Sequence, residues 1–195
     1  MPRWFAILGH RAPSKGEMSL NDLPGSGRVD VLARAVNSAL FVSHGIRKDS
    51  SVILHLLGGD YPPRRVWFDG SRLKGVRPDE RSIAGQIKAI LKLKLPPRDR
   101  FEEVSKGILH SGGGLSETLS EWSSQGISPV LLDACGEAFD KIGEVVDAGF
   151  VISDDLPLSD EELASLEMSK KLSLGDLWLQ GHSCISILHF LMDEA

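Results

Sequence analysis

Arg28 and Asp30, with the run Ser43-His44-Gly45-Ile46-Arg47-Lys48-Asp49, are the residues of this chain best suited to chemistry on a polar ligand. Arginine presents a rigid fork that meets a phosphate or a base edge with two parallel hydrogen bonds, so Arg28, Arg47 and Lys48 are candidates for holding a phosphate or a base. The alternative is local pairing with Asp30 and Asp49, and the two are compatible, since a carboxylate that binds a guanidinium also orients it. An unperturbed imidazole titrates near neutrality, which makes His44 a candidate proton shuttle or a cap for helix carbonyls. Gly25-Ser26-Gly27 forms only half of a dinucleotide fingerprint, lacking the third glycine and a preceding strand. As a loop, its amides and Arg28 can approach a phosphate or base at a helix N-terminus. His10, His55, His110, His182 and His189 show no paired spacing with cysteine or carboxylate, so no metal is expected.

These residues must be positioned by the elements around them. Apolar residues at Val31/Leu32, Ala35/Val36 and Ala39/Leu40 follow the 3.6-residue period of an amphipathic helix, with Gly45 as its expected stop. Pro2 to Leu8, Val52 to Leu57 and Val66 to Phe68 read as strands. Asp79 or Ser82 caps a helix through Ile83, Ile87, Ile90 and Leu91, and Asp79-Glu80-Arg81 reads as its start. Residues 94–103 read as a charged loop and Ser111 to Gly114 as a hinge before a helix through Leu115, Leu119 and Trp122. Strands at Pro129 to Leu132, Gly149 to Ile152 and Lys171 to Leu174 follow, with Ser159 capping an acidic helix and Ser183 capping the last. Such alternation predicts an α/β domain with a largely parallel sheet.

Composition sets the limits. A chain of 195 residues with 42% hydrophobic and 25% charged content is expected to form one soluble domain, residues 1–195. No apolar run approaches a membrane span, the first strand is too short for a signal-peptide core, and two cysteines make no disulfide framework; a cytoplasmic setting is expected. The net charge of -5 conceals a division: residues 1–110 hold 19 Lys+Arg against 11 Asp+Glu, and residues 111–195 hold 3 against 16. The basic part, which includes Arg64-Arg65, Arg72, Lys74, Arg77, Lys88, Lys92 and Lys94, reads either as solvated faces or as a surface for a polyanion.

Leu23-Pro24-Gly25-Ser26-Gly27-Arg28, Asn37-Ser38, Ser43 to Asp49, Pro62-Pro63, Phe68-Asp69-Gly70 and Arg77-Pro78-Asp79-Glu80-Arg81-Ser82 resemble the signature of the archaeal tRNA pseudouridine-54 N1-methyltransferases. The resemblance returns at Ser173-Leu174-Gly175 and Cys184-Ile185-Ser186-Ile187. It implies a SPOUT-like α/β fold with a C-terminal trefoil knot, S-adenosylmethionine as cofactor, tRNA as partner and a homodimer. It divides the chain into a basic, RNA-facing part, 1–110, and an acidic, cofactor-binding part, 111–195.

On that resemblance, the cofactor lies among three loops carrying Leu132, Ser153, the run Ser173, Leu174, Gly175, Asp176, Leu177 and Trp178, and Cys184. RNA contacts fall to Arg28, His44, Arg47, Lys48 and Arg81. Methyl transfer to N1 needs an acceptor for its proton, assigned to Asp30 or a water it holds, while Arg28 and Arg47 stabilise charge on the base or grip phosphate. The chain departs from the family pattern at Ser153 and Asp155, where glycine and histidine are usual, and at Asp176, where proline is usual. The alternatives are the same fold acting on another RNA site, ribosomal RNA included, and a non-enzymatic RNA-binding or assembly protein.

Overall fold

In a computed structural model, residues 2–139 and 147–194 are described. One eight-stranded sheet runs through both halves of the chain in the order β10-β8-β9-β1-β4-β5-β7-β6. Its members are β1 (Arg3–Pro13), β4 (Ser50–Gly58), β5 (Arg64–Asp69), β6 (Glu102–Ser105), β7 (Ile108–Gly112), β8 (Ser128–Ala138), β9 (Ala148–Ser153) and β10 (Lys170–Ser173). β10, β8, β9, β1 and β4 pair in parallel, as expected of a mostly parallel sheet, whereas β4-β5, β5-β7 and β7-β6 add an antiparallel edge. The short link from β4 to β5 dictates this, since a parallel return needs a dozen or more residues.

The central strand β1 is covered on both faces, and its sequence shows why. Phe5 and Ile7 point to one side, Ala6 and Leu8 to the other, and all four are buried. The first side packs under α1 (Val29–Leu40), α2 (Glu80–Leu91) and α5 (Gly181–Asp193), through Leu32, Val36, Ile83, Ile87, Ile185 and Leu188. The second packs under α3 (Leu115–Ser124), through Leu115 and Trp122, and under Leu166, which ends α4 (Asp160–Ser165).

Several local expectations are met. The Asp79 side chain accepts from the Ser82 amide at 2.7 Å and caps α2. Ser159 and Glu162 form the capping box of α4. Others are corrected. α1 stops at Leu40, not at Gly45, because Phe41 turns extended and pairs with Ile46 in a hairpin of β2 (Phe41–Val42) and β3 (Gly45–Ile46). Residues 94–103 and Ser111 to Gly114 are not simply loop and hinge. They lead into and out of the β6–β7 hairpin, which turns at Gly107 with φ +77°. Gln180, not Ser183, is the N-cap of α5, and Ser183 lies inside its first turn.

The basic half is also redistributed. Arg64 and Arg65 are 1% and 0% exposed, so they leave the surface on which RNA contacts were expected. Arg65 is saturated by the Gly112 and Arg98 carbonyls, Thr118, Ser111 and both oxygens of Glu121. Arg64 donates to the carbonyls of Ile90 and Leu93. On β5 they face opposite sides and fasten α2 and α3 to the antiparallel half of the sheet. Arg77 and Arg81, at the start of α2, stay exposed.

Candidate functional site

β1 and β9 run side by side in parallel, with Leu8 opposite Ser153, and both deliver charged residues at their C-terminal ends. Crevices at the C-terminal ends of parallel strands are where open α/β sheets bind ligands. β1 brings His10 and Arg11, the turn after β9 brings Asp154 and Asp155, and the start of α1 brings Arg28 and Asp30. Arg28 is the N-cap of α1 in left-handed conformation, φ 60° and ψ 34°. It follows Gly27, also at positive φ (75°), where a Cβ would overlap the Arg11 carbonyl. Glycine is required there by close approach and by backbone angle together.

The left-handed turn folds the Arg28 side chain back onto its own helix. Nε donates to Asp30 Oδ1 at 3.0 Å, Nη2 to Asp30 Oδ2 at 3.1 Å, and Nη1 to Asp155 Oδ2 at 2.9 Å. Arg11 also donates to Asp155, and Arg34 to Asp30. Arg34 Nε lies 3.2 Å from Glu80 Oε1 at the start of α2. The result is an alternating chain, Arg11–Asp155–Arg28–Asp30–Arg34–Glu80, joining β1, the turn after β9, α1 and α2. Burial would raise the pKa of Asp30, yet the Arg28 hydrogen bond and the charges of Arg28 and Arg34 hold it below the usual carboxylate range. Its side chain is 3% exposed and that of Asp155 is 30%, so the Asp155 side of the Arg28 guanidinium is the one a ligand reaches. Asp30 is thereby equipped to orient Arg28.

Arg47 is not part of this cluster. The twelve-residue α1 separates them by roughly 18 Å at 1.5 Å per residue. Arg47 lies just after the β2–β3 hairpin and makes two bonds to Asp193 at the end of α5, 3.2 and 2.6 Å. Arg3 joins the same carboxylate at 2.6 Å and donates to His189, whose other ring nitrogen meets the Ala39 carbonyl. The Arg47 hydrogen bond, aided by Arg3 and opposed by burial, holds Asp193 at about 2. His44 is exposed at the hairpin turn, and Lys48 donates to the Gly70 carbonyl at 3.2 Å. Arg81 bonds the Leu20 carbonyl and Asn21, bracing the loop that enters α1.

Of the residues expected to hold a cofactor, Ser153 ends β9 and Ser173 ends β10 with Leu174 to Trp178 following it, whereas Leu132 stands in the middle of β8 and Cys184 inside α5; parallel pairing sets the three strands side by side. Leu132 and Leu174 are partly buried against the core. Gly175 has φ +109° and open space where a Cβ would stand, leaving its backbone approachable. Leu177 and Trp178 are 79% and 91% exposed, and Asp176 is exposed beside them. Cys184 is half-buried, and burial pushes its thiol up. Ser153 is not among the positive-φ residues, so serine fits where glycine is usual, and its hydroxyl donates to the Leu156 carbonyl.

Sequence reasoning missed His10, Arg11, Arg34 and Glu162. Arg34 was findable, standing four residues after Asp30 on the same helical face. His10 and Arg11 carry no local signal, because their partners lie 144 residues or more away.

A family model described as "Putative SAM-dependent RNA methyltransferase" matches residues 2–195. The chain belongs to this family. It is 39% identical over 189 residues to the tRNA (pseudouridine(54)-N(1))-methyltransferase of Methanospirillum hungatei, covering 95% of this chain and 93% of that one. It is 37% identical to the enzyme of the same name from Methanococcus maripaludis, covering 97% and 98%. A crystal structure of Archaeoglobus fulgidus Nep1 bound to S-adenosylhomocysteine matches with TM-score 0.67 at 14% identity, covering 100% of this chain and 98% of that one. At that identity the likeness concerns the fold.

Proposed function

We propose that this protein transfers the methyl group of S-adenosylmethionine to N1 of pseudouridine 54 in the T-loop of tRNA. The observation that carries the reading is full-length similarity at 35–39% identity to relatives bearing that activity in their names. The site supports it with one guanidinium, Arg28, aligned by a buried carboxylate and turned toward loops of the kind that hold the cofactor.

The cofactor's chemistry is an electrophilic methyl on sulfonium sulfur. Gly175 offers close backbone approach, Leu132, Leu174, Leu177 and Trp178 an apolar lining, and the turn at Ser153 the facing wall. The protein's own task is to hold the base and accommodate the charge that develops as the N1 proton leaves. Arg28 does this with a preorientated guanidinium, which costs little reorganisation when the charge appears. Asp30, with its oxygens engaged by Arg28 and Arg34, positions that guanidinium. Asp155, the partly exposed carboxylate bonded to Arg28, accepts the proton in this reading.

In the proposed SPOUT-type homodimer with a C-terminal knot, a second copy covers the exposed Leu177, Trp178 and Phe190. His44, Arg47 and Lys48 then grip RNA from the far end of α1, with Arg81 and Arg77 extending the basic surface. The test is methylation of tRNA carrying pseudouridine or uridine at position 54, read by nucleoside mass spectrometry. Arg28→Ala is expected to abolish product while S-adenosylhomocysteine still binds by calorimetry. Equal methylation of uridine, or normal product from Arg28→Ala, rejects the assignment.

A further inference from the structure

His10 is a partly buried titratable group that methyl transfer leaves without a task. Its ring is fixed between carboxylates from two different elements. Nδ1 lies 2.9 Å from Asp154 Oδ1 and Nε2 3.0 Å from Glu162 Oε2, while the His10 amide donates to Asp154 Oδ2 at 2.8 Å. The side chains of His10, Asp154 and Glu162 are 17%, 1% and 14% exposed. A neutral imidazole has a single N–H, so only the imidazolium can donate to both carboxylates at once.

The two carboxylates are not equivalent. Asp154 is tied to its surroundings whatever the charge on His10: it accepts from the His10 and Leu156 amides, and its own amide donates to the Leu8 carbonyl. Glu162 closes the capping box of α4, accepting from the Ser159 amide at 2.8 Å. Its contact with His10 is the polar tie between that capped turn and β1. A neutral ring keeps one proton, so one carboxylate must then face a lone pair; Asp154 stays anchored by two amides, and the Glu162 contact is the one free to loosen.

We propose that His10 is a positioning residue whose protonated ring clasps the 153–162 segment against the end of β1, and so sets the shape of the loop that begins at Ser153. Its consequence for cofactor binding rests on the methyltransferase reading; the clasp itself does not. Burial opposes protonation of His10, but the bonds to Glu162 and Asp154 outweigh it and raise its pKa above the ordinary 6.5. The clasp is therefore complete below about 6.5 and opens as pH rises through the raised value. Asp154 from the turn after β9 and Glu162 from α4 are the charged groups facing the ring. Arg11, next in β1, is turned to Asp155, which it shares with Arg28.

The test uses the full chain without ligand, from about pH 5.5 to about pH 9, following the His10 ring by NMR and amide exchange in residues 153–162 corrected for intrinsic rates. Protection at Glu162 and its neighbours is expected to fall about tenfold across the ring titration. Glu162→Ala leaves no carboxylate opposite the Nε2 of His10, so protection should lose its pH step and stay low. His10→Gln should lose the step and stay low. A ring that titrates at or below 6.5, a wild-type loop indifferent to that titration, or a step surviving in Glu162→Ala overturns the clasp. S-adenosylhomocysteine calorimetry over the same range should show affinity weakening with the loop. PH-independent affinity beside a loop step overturns the positioning role. Absence of binding at every pH rejects the methyltransferase reading, and the exchange data alone then decide the clasp.

Discussion

Replacing Asp30 by asparagine tests whether the site depends on one buried carboxylate. Asp30 takes three N–H groups, Nε and Nη2 of Arg28 at 3.0 and 3.1 Å and Nη2 of Arg34. Asparagine is nearly isosteric but has one acceptor oxygen, and its NH2 group must face a guanidinium donor. One or two charge-assisted bonds are lost, each worth about 1.5–3 kcal/mol when fully desolvated. Arg28 and Arg34 are 33% and 31% exposed, so water takes up part of the loss. The net expectation is about 2 kcal/mol of stability, measured by urea unfolding at neutral pH. The pH dependence carries a second signature. Asp30 has a folded pKa below the ordinary 3.8, so its contribution is present above that value and lost as pH falls through the folded one. The gap between wild type and Asp30→Asn should close on acidification. Methylation efficiency should drop by about tenfold or more through kcat, as Arg28 loses its orientation, with S-adenosylhomocysteine affinity retained. A variant within about 0.5 kcal/mol of wild type, with an unchanged acid limb and normal kcat, refutes the reasoning.

Three further outcomes are expected. Arg65→Ala takes a donor from the partly exposed Glu121, the buried Gly112 carbonyl and the Arg98 carbonyl, and empties a fully buried site, so it should cost about 3 kcal/mol in urea unfolding; a fall in tRNA affinity without loss of stability would instead place Arg65 at the surface. His55 is fully buried, and burial, aided by the charge of Arg65, holds its pKa at about 3. Its unfolded form takes up a proton near 6.5, so stability should decline as pH falls from there toward 3, and His55→Leu should flatten that slope whatever its stability at neutral pH. Ser159→Ala removes one partner of the α4 capping box and should cost about 1 kcal/mol, with increased amide exchange confined to α4 and its N-terminal turn.

The parts of this protein legible in sequence are those whose cause is local. Period-3.6 stripes marked α1 and α2, capping residues marked the starts of α2 and α4, and apolar runs marked β1, β4, β8 and β9. The β6–β7 hairpin escaped because β6 is exposed and charged, so neither burial nor alternation left a trace in its residues. The stop of α1 was misplaced because the Phe41–Ile46 pairing competes with continued helix, and pairing is not visible in a helical stripe.

Charge shows the limit most clearly. The sequence by itself determined how many arginines stand in the basic half, that Arg28 and Asp30 are adjacent, and which family the motifs resemble. It could not say which arginines face water. Only the tertiary structure sent Arg64 and Arg65 into the interior, set Asp193 against Arg47 across 146 residues, and drew Asp155, 127 residues from Arg28, onto its guanidinium. The physical reason is that a helix or strand follows from bonds and burial a few residues away, whereas an ion pair follows from where separate strands end. In a parallel sheet those ends meet only when the whole sheet has formed.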